Sequence, residues 1–361
     1  MHGRGCVTHI GRIEKAPTKQ EPALRKEIDI LAFVTRPSFA GGLGPIGDHL
    51  GLTGLATRRP DLTVRVVELN ARSTQFHLDY EILRIEQDHQ APITLGRAAV
   101  VLYMPVSFDV EETDLSVAPA DDPWPTFTHW QWRAITEYLE HRLPGIGHCV
   151  NTPLAARRAN NKLLQWETLT AAGFDIPALV IATRWPQRGA LAGAAALVKK
   201  NLSESGWKAD GVFSPARKVR RGEAADDLPA IWQQPIEAAF EIRAYVFGDE
   251  VTFVRLERDA SIIDVRVANS GRPQARLVHP APGWSDMMLG ASRALGLEYS
   301  VIDAMPTGDR LTILEVNANG VWWFLPTEIA ACLEANFHFW LERLVDAARR
   351  TESAATPSGE R

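Results

Sequence analysis

Cysteine is scarce in this 361-residue chain: Cys6, Cys149 and Cys332 are the whole set. Three scattered thiols make neither a disulfide framework nor a paired CxxC zinc pattern, and they point to a reducing, cytoplasmic compartment. Long apolar runs are missing too. The most apolar stretch, Gly189 to Val198, is about half the roughly 20 residues of a membrane span, so no membrane partner is expected. Nor does one charge dominate: 39 Lys and Arg stand against 44 Asp and Glu, a net charge of -5 that argues against a nucleic-acid partner. HExxH, GxSxG and GxxxxGK(S/T) are absent, which removes the common zinc-protease, serine-hydrolase and P-loop chemistries. Residues 1–26 carry cations without the apolar core of a signal peptide and read as a flexible arm.

What is present is an ordinary globular composition with apolar runs of two kinds. Ile28 to Thr35 and Thr63 to Leu69 read as buried parallel strands joined by a crossover, with Ala98 to Met104 as a third. The acidic, proline-rich stretch from Asp109 to Pro125 reads as a surface loop. Trp132, Ile135, Tyr138 and Leu139 recur at helical spacing, and Pro144 and Gly145 end that helix. A second helix is expected from Pro153 to Ala172, with Lys162 in its middle and Gly173 as its C-cap.

Short strands then follow at Ala178 to Thr183, Ala196 to Lys199, Val212 to Phe213, Ala230 to Gln233, Glu241 to Phe247 and Val251 to Leu256. The last two form a hairpin through Gly248, Asp249 and Glu250. Ser285 to Leu295 is helical. Ser300 to Asp303 and Leu311 to Val316 are strands bridged at Thr307, Gly308 and Asp309, and a closing helix spans Glu328 to Arg349 before a disordered tail at 350–361. The fold class is α/β (α+β).

Gly42, Gly44 and Gly47 satisfy GxGxxG after the first strand, and Glu68 ends the next, so a dinucleotide site is one reading. Against it, Arg36 to Ala40 separate the strand from the first glycine, whereas a pyrophosphate-binding helix must start at the strand end. An ordinary glycine-rich loop is the favoured reading.

The stronger signal lies in the second half. Asp303 ends one apolar strand, and Glu315 and Asn317 lie two apart on another, so their side chains share a face. Two carboxylates and an amide oxygen are hard donors that suit Mg²⁺ shared with nucleotide phosphates. Lys162, Lys199, Arg243 and Arg266 each sit in or beside an apolar run, where a cation requires an anion. Taken singly, each has a plainer reading as a snorkelling lysine or a structural arginine.

In order and spacing these motifs resemble the ATP-grasp superfamily, and within it the peptide-modifying branch of graspetide (microviridin-type) macrocyclases, with ribosomal-protein glutamate ligases more distant. The resemblance covers most of the chain, from about Ile28 to Leu344. It rests on NKLLQWETLTAAGFDIPALVIAT (161–183), LVKKNLSESG (197–206), WQQPI (232–236), EIRAYVFGDEV (241–251), DVR (264–266), LGLEYSVIDA (295–304) and LEVNANGVWWF (314–324).

The resemblance implies an N-terminal α/β domain at 27–150, a central lid subdomain at 151–230 and a C-terminal metal-bearing subdomain at 231–349. It implies ATP between two antiparallel sheets, with Lys162 and Lys199 on the phosphates beneath a loop holding Ser203 and Gly206. Gln233, Gln234 and Ile236 would form the hinge that meets adenine through backbone groups, with Glu241 near the ribose. Arg243 and Arg266 would neutralise the γ-phosphate or an acyl phosphate, and Asp303, Glu315 and Asn317 would hold two Mg²⁺ ions. Lys200 beside Lys199 leaves the register open by one residue, and the spacing to Gly206 favours Lys199.

The implied activity is ADP-forming carboxylate ligation, giving an amide or ester on a peptide or amino-acid substrate, by a homodimer. Departures from the family pattern are the long glycine-rich front segment and VVLYMPVSFD (100–109) where graspetide ligases carry an arginine-rich strand end. Other readings are an intermolecular amino-acid ligase, a noncatalytic nucleotide- or peptide-binding relative, and the oxidoreductase suggested by Gly42, Gly44 and Gly47.

Overall fold

The computed structural model describes residues 28–35, 50–69, 74–79, 82–87, 90–104, 124–202, 216–223, 229–258, 273–308 and 310–355. The expectations for 1–26, the glycine motif, the Val212 to Phe213 strand, Ser203, Gly206, Arg266, Asp309 and 356–361 lie outside these residues, as does most of the loop from Asp109.

The chain opens with β1 (Ile28–Thr35), α1 (Leu52–Arg58) and β2 (Val64–Leu69), followed by the short β3 (Gln75–Asp79), β4 (Ile82–Glu86) and β5 (Ile93–Leu95). Next come β6 (Ala98–Met104), α2 (Trp124–Arg142) and β7 (His148–Val150). Two helices, α3 (Pro153–Asn160) and α4 (Lys162–Ala171), lead into β8 (Leu179–Ala182), β9 (Ala196–Lys200), β10 (Arg217–Arg220) and β11 (Ala230–Gln233). The last third is β12 (Phe240–Phe247), β13 (Glu250–Glu257), β14 (Ala275–Val278), α5 (Trp284–Ala294), β15 (Tyr299–Thr307), β16 (Arg310–Asn317) and α6 (Thr327–Ala355).

These strands form four sheets. β2-β1-β6-β7 is parallel, β3-β4-β5 is an antiparallel meander, and β10-β9-β11-β8 and β14-β13-β12-β15-β16 are antiparallel. β1 and β6 are buried on both faces, as a parallel sheet covered on both sides requires. One face meets α2 and the meander through Phe33, Tyr103, Leu139 and Ile85. The other meets α6, and α6 in turn packs on one face of the five-stranded sheet through Phe337, Trp340 and Leu341.

That shared core is aromatic. Phe247 and Tyr299 stack at 5.7 Å, with Trp322 edge-on to Phe247 and Phe337 and Trp340 tilted against it. Gly248 turns the β12–β13 hairpin at φ +64, where a Cβ would also stand 2.7 Å from the Trp340 indole nitrogen. The opposite face of the sheet, with Ile242, Ala244 and Ile302, is covered by α3, α4 and α5.

Three sequence expectations are corrected. The helix from Pro153 breaks at Asn161, whose side chain accepts hydrogen bonds from the Leu163 and Leu164 backbone N–H groups and caps a new helix, so Lys162 is a first-turn residue and not a middle one. The closing helix runs on to Ala355, past the expected end at Arg349. The third is an omission: the meander strands β3 to β5 are only three to five residues long, too short to stand out, and Phe76, Ile85 and Leu95 on them pack with the parallel sheet they cover.

The parallel sheet and the five-stranded sheet are tied at Asn151. Its buried amide donates to Tyr299 O (2.8 Å) and Ala318 O (3.0 Å) and accepts from the Glu298 and Tyr299 N–H groups. Beside it, His148 Nε2 lies 2.9 Å from Glu298 Oε2, and this bond raises the imidazole pKa. Because the folded value is the higher one, the pair contributes stability that is complete below the unfolded pKa of about 6.5 and is lost as pH rises through the folded value. The His148 ring protons should therefore titrate above about 6.5 by NMR and move back towards it in Glu298→Gln; an unshifted wild-type ring contradicts the pairing.

Candidate active site

The five-stranded sheet changes character along one face. On β12 the side chains facing α6 run Phe247, Tyr245, Arg243, Glu241, from aromatic core to charge. The register sets Arg243 opposite Asp303 on β15, and Asp303 opposite Glu315 on β16. Three adjacent strands thus place three charged side chains in one row, at the cross-strand spacing where side chains meet.

A β-bulge makes this row possible. Pairing slips between Asp303 and Ala304, so that Asp303 faces Glu315 but Ala304 faces Ile313, and Leu314 is the extra residue. Before the bulge Leu311 and Ile313 point into the core under α5; after it Val316 and Ala318 do. Strict alternation would have sent Glu315 and Asn317 to that apolar side with Ile313. The inserted residue re-aims them to the charged face.

The contacts in the row are close. Arg243 clamps Asp303 with both prongs of its guanidinium, Nε to Oδ1 at 2.6 Å and Nη2 to Oδ2 at 2.9 Å. Its flat face lies 5.0 Å from the Phe324 ring. Lys162 Nζ donates to Glu315 Oε2 at 3.0 Å, from a helix that reaches the sheet edge at this point. The Asn317 amide donates to Glu315 Oε1 (3.1 Å) and Asp303 Oδ2 (3.4 Å). Gly320 lets the following turn close over Val301, whose side chain would otherwise lie 2.3 Å from a Cβ.

Electrostatics follow from burial. Burial alone would raise the Glu315 pKa, but the Lys162 and Lys200 charges and the hydrogen bonds from Lys162 and Asn317 outweigh it and hold the carboxylate well below its ordinary range. Glu241 goes the other way: burial, together with the Asp303 charge, pushes it up to about 7 against the pull of Arg243, Arg258 and Lys200. Lys200 is lowered by burial and by Lys162, with Glu315, Glu241 and Asp303 opposing. Burial lowers Arg243, yet the Asp303 carboxylate prevails and keeps it cationic.

Lys162, Glu241, Arg243, Asp303, Glu315 and Asn317 are therefore brought together. Lys199 is not. Lys199 pairs with Trp232 across β9 and β11 and lies over its ring at 5.7 Å, on the far face of the sheet with Leu197 and Val219. Lys200, the next residue, lies on the other face of the strand, within electrostatic reach of Glu315, Glu241 and Asp303. The strand is buried on both faces, which left its sequence without an alternation to read.

Gln233 is buried at the end of β11 with its Oε1 unpaired, Gln234 is exposed and donates its backbone N–H to Ala178 O (3.0 Å), and Ile236 is half-buried. Sequence reasoning missed Arg258, which lies close enough to act on Glu241, and Gln165, which binds the β16 backbone. Neither carries a motif of its own. A cleft of about 660 Å³ between α4 and β8, lined by Leu163, Trp166, Glu167, Ile176, Leu179 and Ile181, shares no residue with the row.

Among the described residues no three His, Cys, Asp or Glu side chains are grouped to hold a metal. The row supplies two carboxylates and one amide, which converge within hydrogen-bond distance through Asn317. This oxygen-donor set fits a hard divalent cation that completes its shell from phosphate and water. To ligate one, the Asn317 amide would turn its oxygen inward.

No protein-family model matches the chain, and no curated protein matches it. Solved structures do. The macrocyclase MdnC bound with precursor peptide MdnA, from Microcystis aeruginosa MRC, is 17% identical over 88% of this chain and 99% of its own, with a TM-score of 0.66. A Chryseobacterium gregarium RiPP-associated ATP-grasp ligase in complex with ADP and a leader and core peptide is 16% identical over 89% and 97%, with a TM-score of 0.67. The ATP-grasp ligase PsnB, complexed with a phosphomimetic variant of its minimal precursor, Mg and ADP, is 16% identical over 88% and 99%, with a TM-score of 0.61. At these identities the likeness is one of fold, and the chain has the ATP-grasp fold.

Proposed function

We propose that the chain is an ATP-dependent ligase that activates a peptide carboxylate and joins it to an amine or hydroxyl. The observation that carries this reading is the row itself: Lys162, Lys200 and Arg243 around Asp303, Glu315 and Asn317, on one face of one sheet. In the first step a carboxylate oxygen bonds to the γ-phosphorus of ATP while the bond to the bridging oxygen breaks, giving an acyl phosphate and ADP. In the second the nucleophile bonds to the acyl carbon, phosphate leaves with the bonding electrons, and the nucleophile gives up its proton. No enzyme nucleophile is needed, in keeping with the absence of a catalytic triad motif.

Each residue then takes a role. Asp303, Glu315 and Asn317 would hold Mg²⁺, which supplies charge neutralisation at the phosphates. Lys162 and Lys200 stabilise charge on the transferred phosphoryl group, and Arg243 both anchors Asp303 and faces the acyl phosphate. Arg266 joins them by resemblance. Gln233, Gln234 and Ile236 line the adenine end, and Glu241 lies towards the ribose. Before nucleotide arrives, the Lys162–Glu315 and Arg243–Asp303 pairs keep the buried charges compensated.

The preferred substrate is a precursor peptide cyclised through its own side chains, as the fold neighbours' peptide complexes suggest. Intact mass spectrometry tests it: the product should be lighter than the substrate by one water per bond. A product heavier by an amino-acid residue identifies an intermolecular ligase instead.

Glu315→Gln keeps the shape and removes the charge, and it should slow ADP release by about 100-fold or more in a coupled assay. ADP release at the wild-type rate would falsify the assignment. Asp303→Asn strands the buried guanidinium and should cost about 3 kcal/mol in urea unfolding, whereas Arg243→Met with Asp303→Leu should unfold near the wild-type midpoint yet release no ADP. Equal destabilisation of the single and double variants contradicts the ion-pair account.

A further inference from the structure

Among the described residues β16 is an outer strand, with no neighbouring strand beyond it to pair with its outward-facing backbone groups. At Val316 the Gln165 side chain takes that place. Its Nε2 donates to Val316 O at 2.7 Å and its Oε1 accepts from Val316 N at 3.0 Å, the two-way exchange that one residue makes with another in an antiparallel ladder. The second hydrogen on Nε2 goes to Ala159 O at 2.5 Å, in the last turn of α3. Gln165 is 2% exposed. One further tie, from the Ile313 N–H to Asp175 O at 2.9 Å, follows along the same edge.

The position of this amide is what matters. Lys162 precedes Gln165 by three residues and so lies on the same side of α4, one turn nearer its start. Glu315 is the residue before Val316, with its side chain on the opposite face of the strand. The bond that fixes Gln165 to Val316 therefore fixes Lys162 to Glu315, where Nζ and Oε2 are 3.0 Å apart. A slip of one residue along the helix axis would shift Lys162 by about 1.5 Å and turn it by about 100°.

We propose that Gln165 is a positioning residue that locks α4 in register with β16 and so holds the Lys162 ammonium at the charged row. The inference rests on the ligase reading for its effect on catalysis. An amide is required at this site. Met matches its length but leaves the Val316 N–H and C=O buried without partners, and Glu accepts from the N–H while setting a carboxylate against two carbonyl oxygens.

The test is a double-mutant cycle in the full-length protein, with a structure as an independent arm. Gln165→Met should lower kcat/KM for ATP by about tenfold, and by less than about twofold when Lys162→Ala is already present, because its effect passes through that lysine. The same loss in both backgrounds, or no loss in either, overturns the proposal. The crystal structure of ligand-free Gln165→Met reads the positioning without any activity: Lys162 Nζ should no longer contact Glu315, and an intact 3.0 Å pair overturns the proposal whatever the reaction proves to be. If wild type releases no ADP while the pair separates in the variant, the ligase reading fails and the positioning stands. Should Gln165→Met not fold, Gln165→Asn, one methylene too short to reach Val316, is measured by both readouts.

Discussion

A guanidinium and two carboxylates can be buried side by side only where each has a counter-charge within hydrogen-bond reach, and this requirement organises the C-terminal sheet. Arg243 is bound at both prongs by Asp303, and Glu315 is held by Lys162 and Asn317. Desolvating such ions costs several kcal/mol each, so the row stabilises little by itself. Its consequence is selectivity of arrangement. A strand slipped by one residue would bury one charge among aliphatic side chains and expose another.

The surroundings hold the row in place from three sides. Along β12 and β15 it continues directly into the aromatic core, where Tyr245, Phe247 and Tyr299 pack against Trp322 and α6. That core also contains the parallel sheet, so the N-terminal half of the chain is part of what keeps the site rigid. At the outer edge α4 supplies Lys162, and across from it β9 supplies Lys200. The two lysines arrive from elements outside the sheet, whereas Arg243 and the carboxylates belong to the sheet itself. This division suits the proposed ligase: a nucleotide would replace Glu315 as the partner of Lys162 without disturbing a strand.

The strands of the five-stranded sheet were legible because their apolar runs are long and bounded by turn residues such as Gly248 and Gly308. Asp303, Glu315 and Asn317 stood out as polar residues within such runs. What was not legible depended on contacts distant in sequence. Which of Lys199 and Lys200 faces the row cannot be read from alternation in a strand buried on both faces, and it shows only when Trp232 is placed beside Lys199. The extra residue at Leu314 leaves no mark in an unbroken apolar stretch, although it sets which face Glu315 takes. Asn161 was hidden by the helix-forming residues on either side, and Gln165 reads as an ordinary helix residue until β16 is placed beside it. The meander β3 to β5 escaped because its strands are too short to stand out.

On the proposed reading, this row is a preformed site for the phosphates and metal of a bound nucleotide. A crystal structure with ADP and Mg²⁺ tests it most directly. The phosphates should lie between Lys162, Lys200 and Arg243 and the ion on Asp303, Glu315 and Asn317, with the Asn317 amide turned so that its oxygen faces the metal. Nucleotide bound elsewhere, with the Lys162–Glu315 pair and the Asn317 hydrogen bonds unchanged, would contradict it.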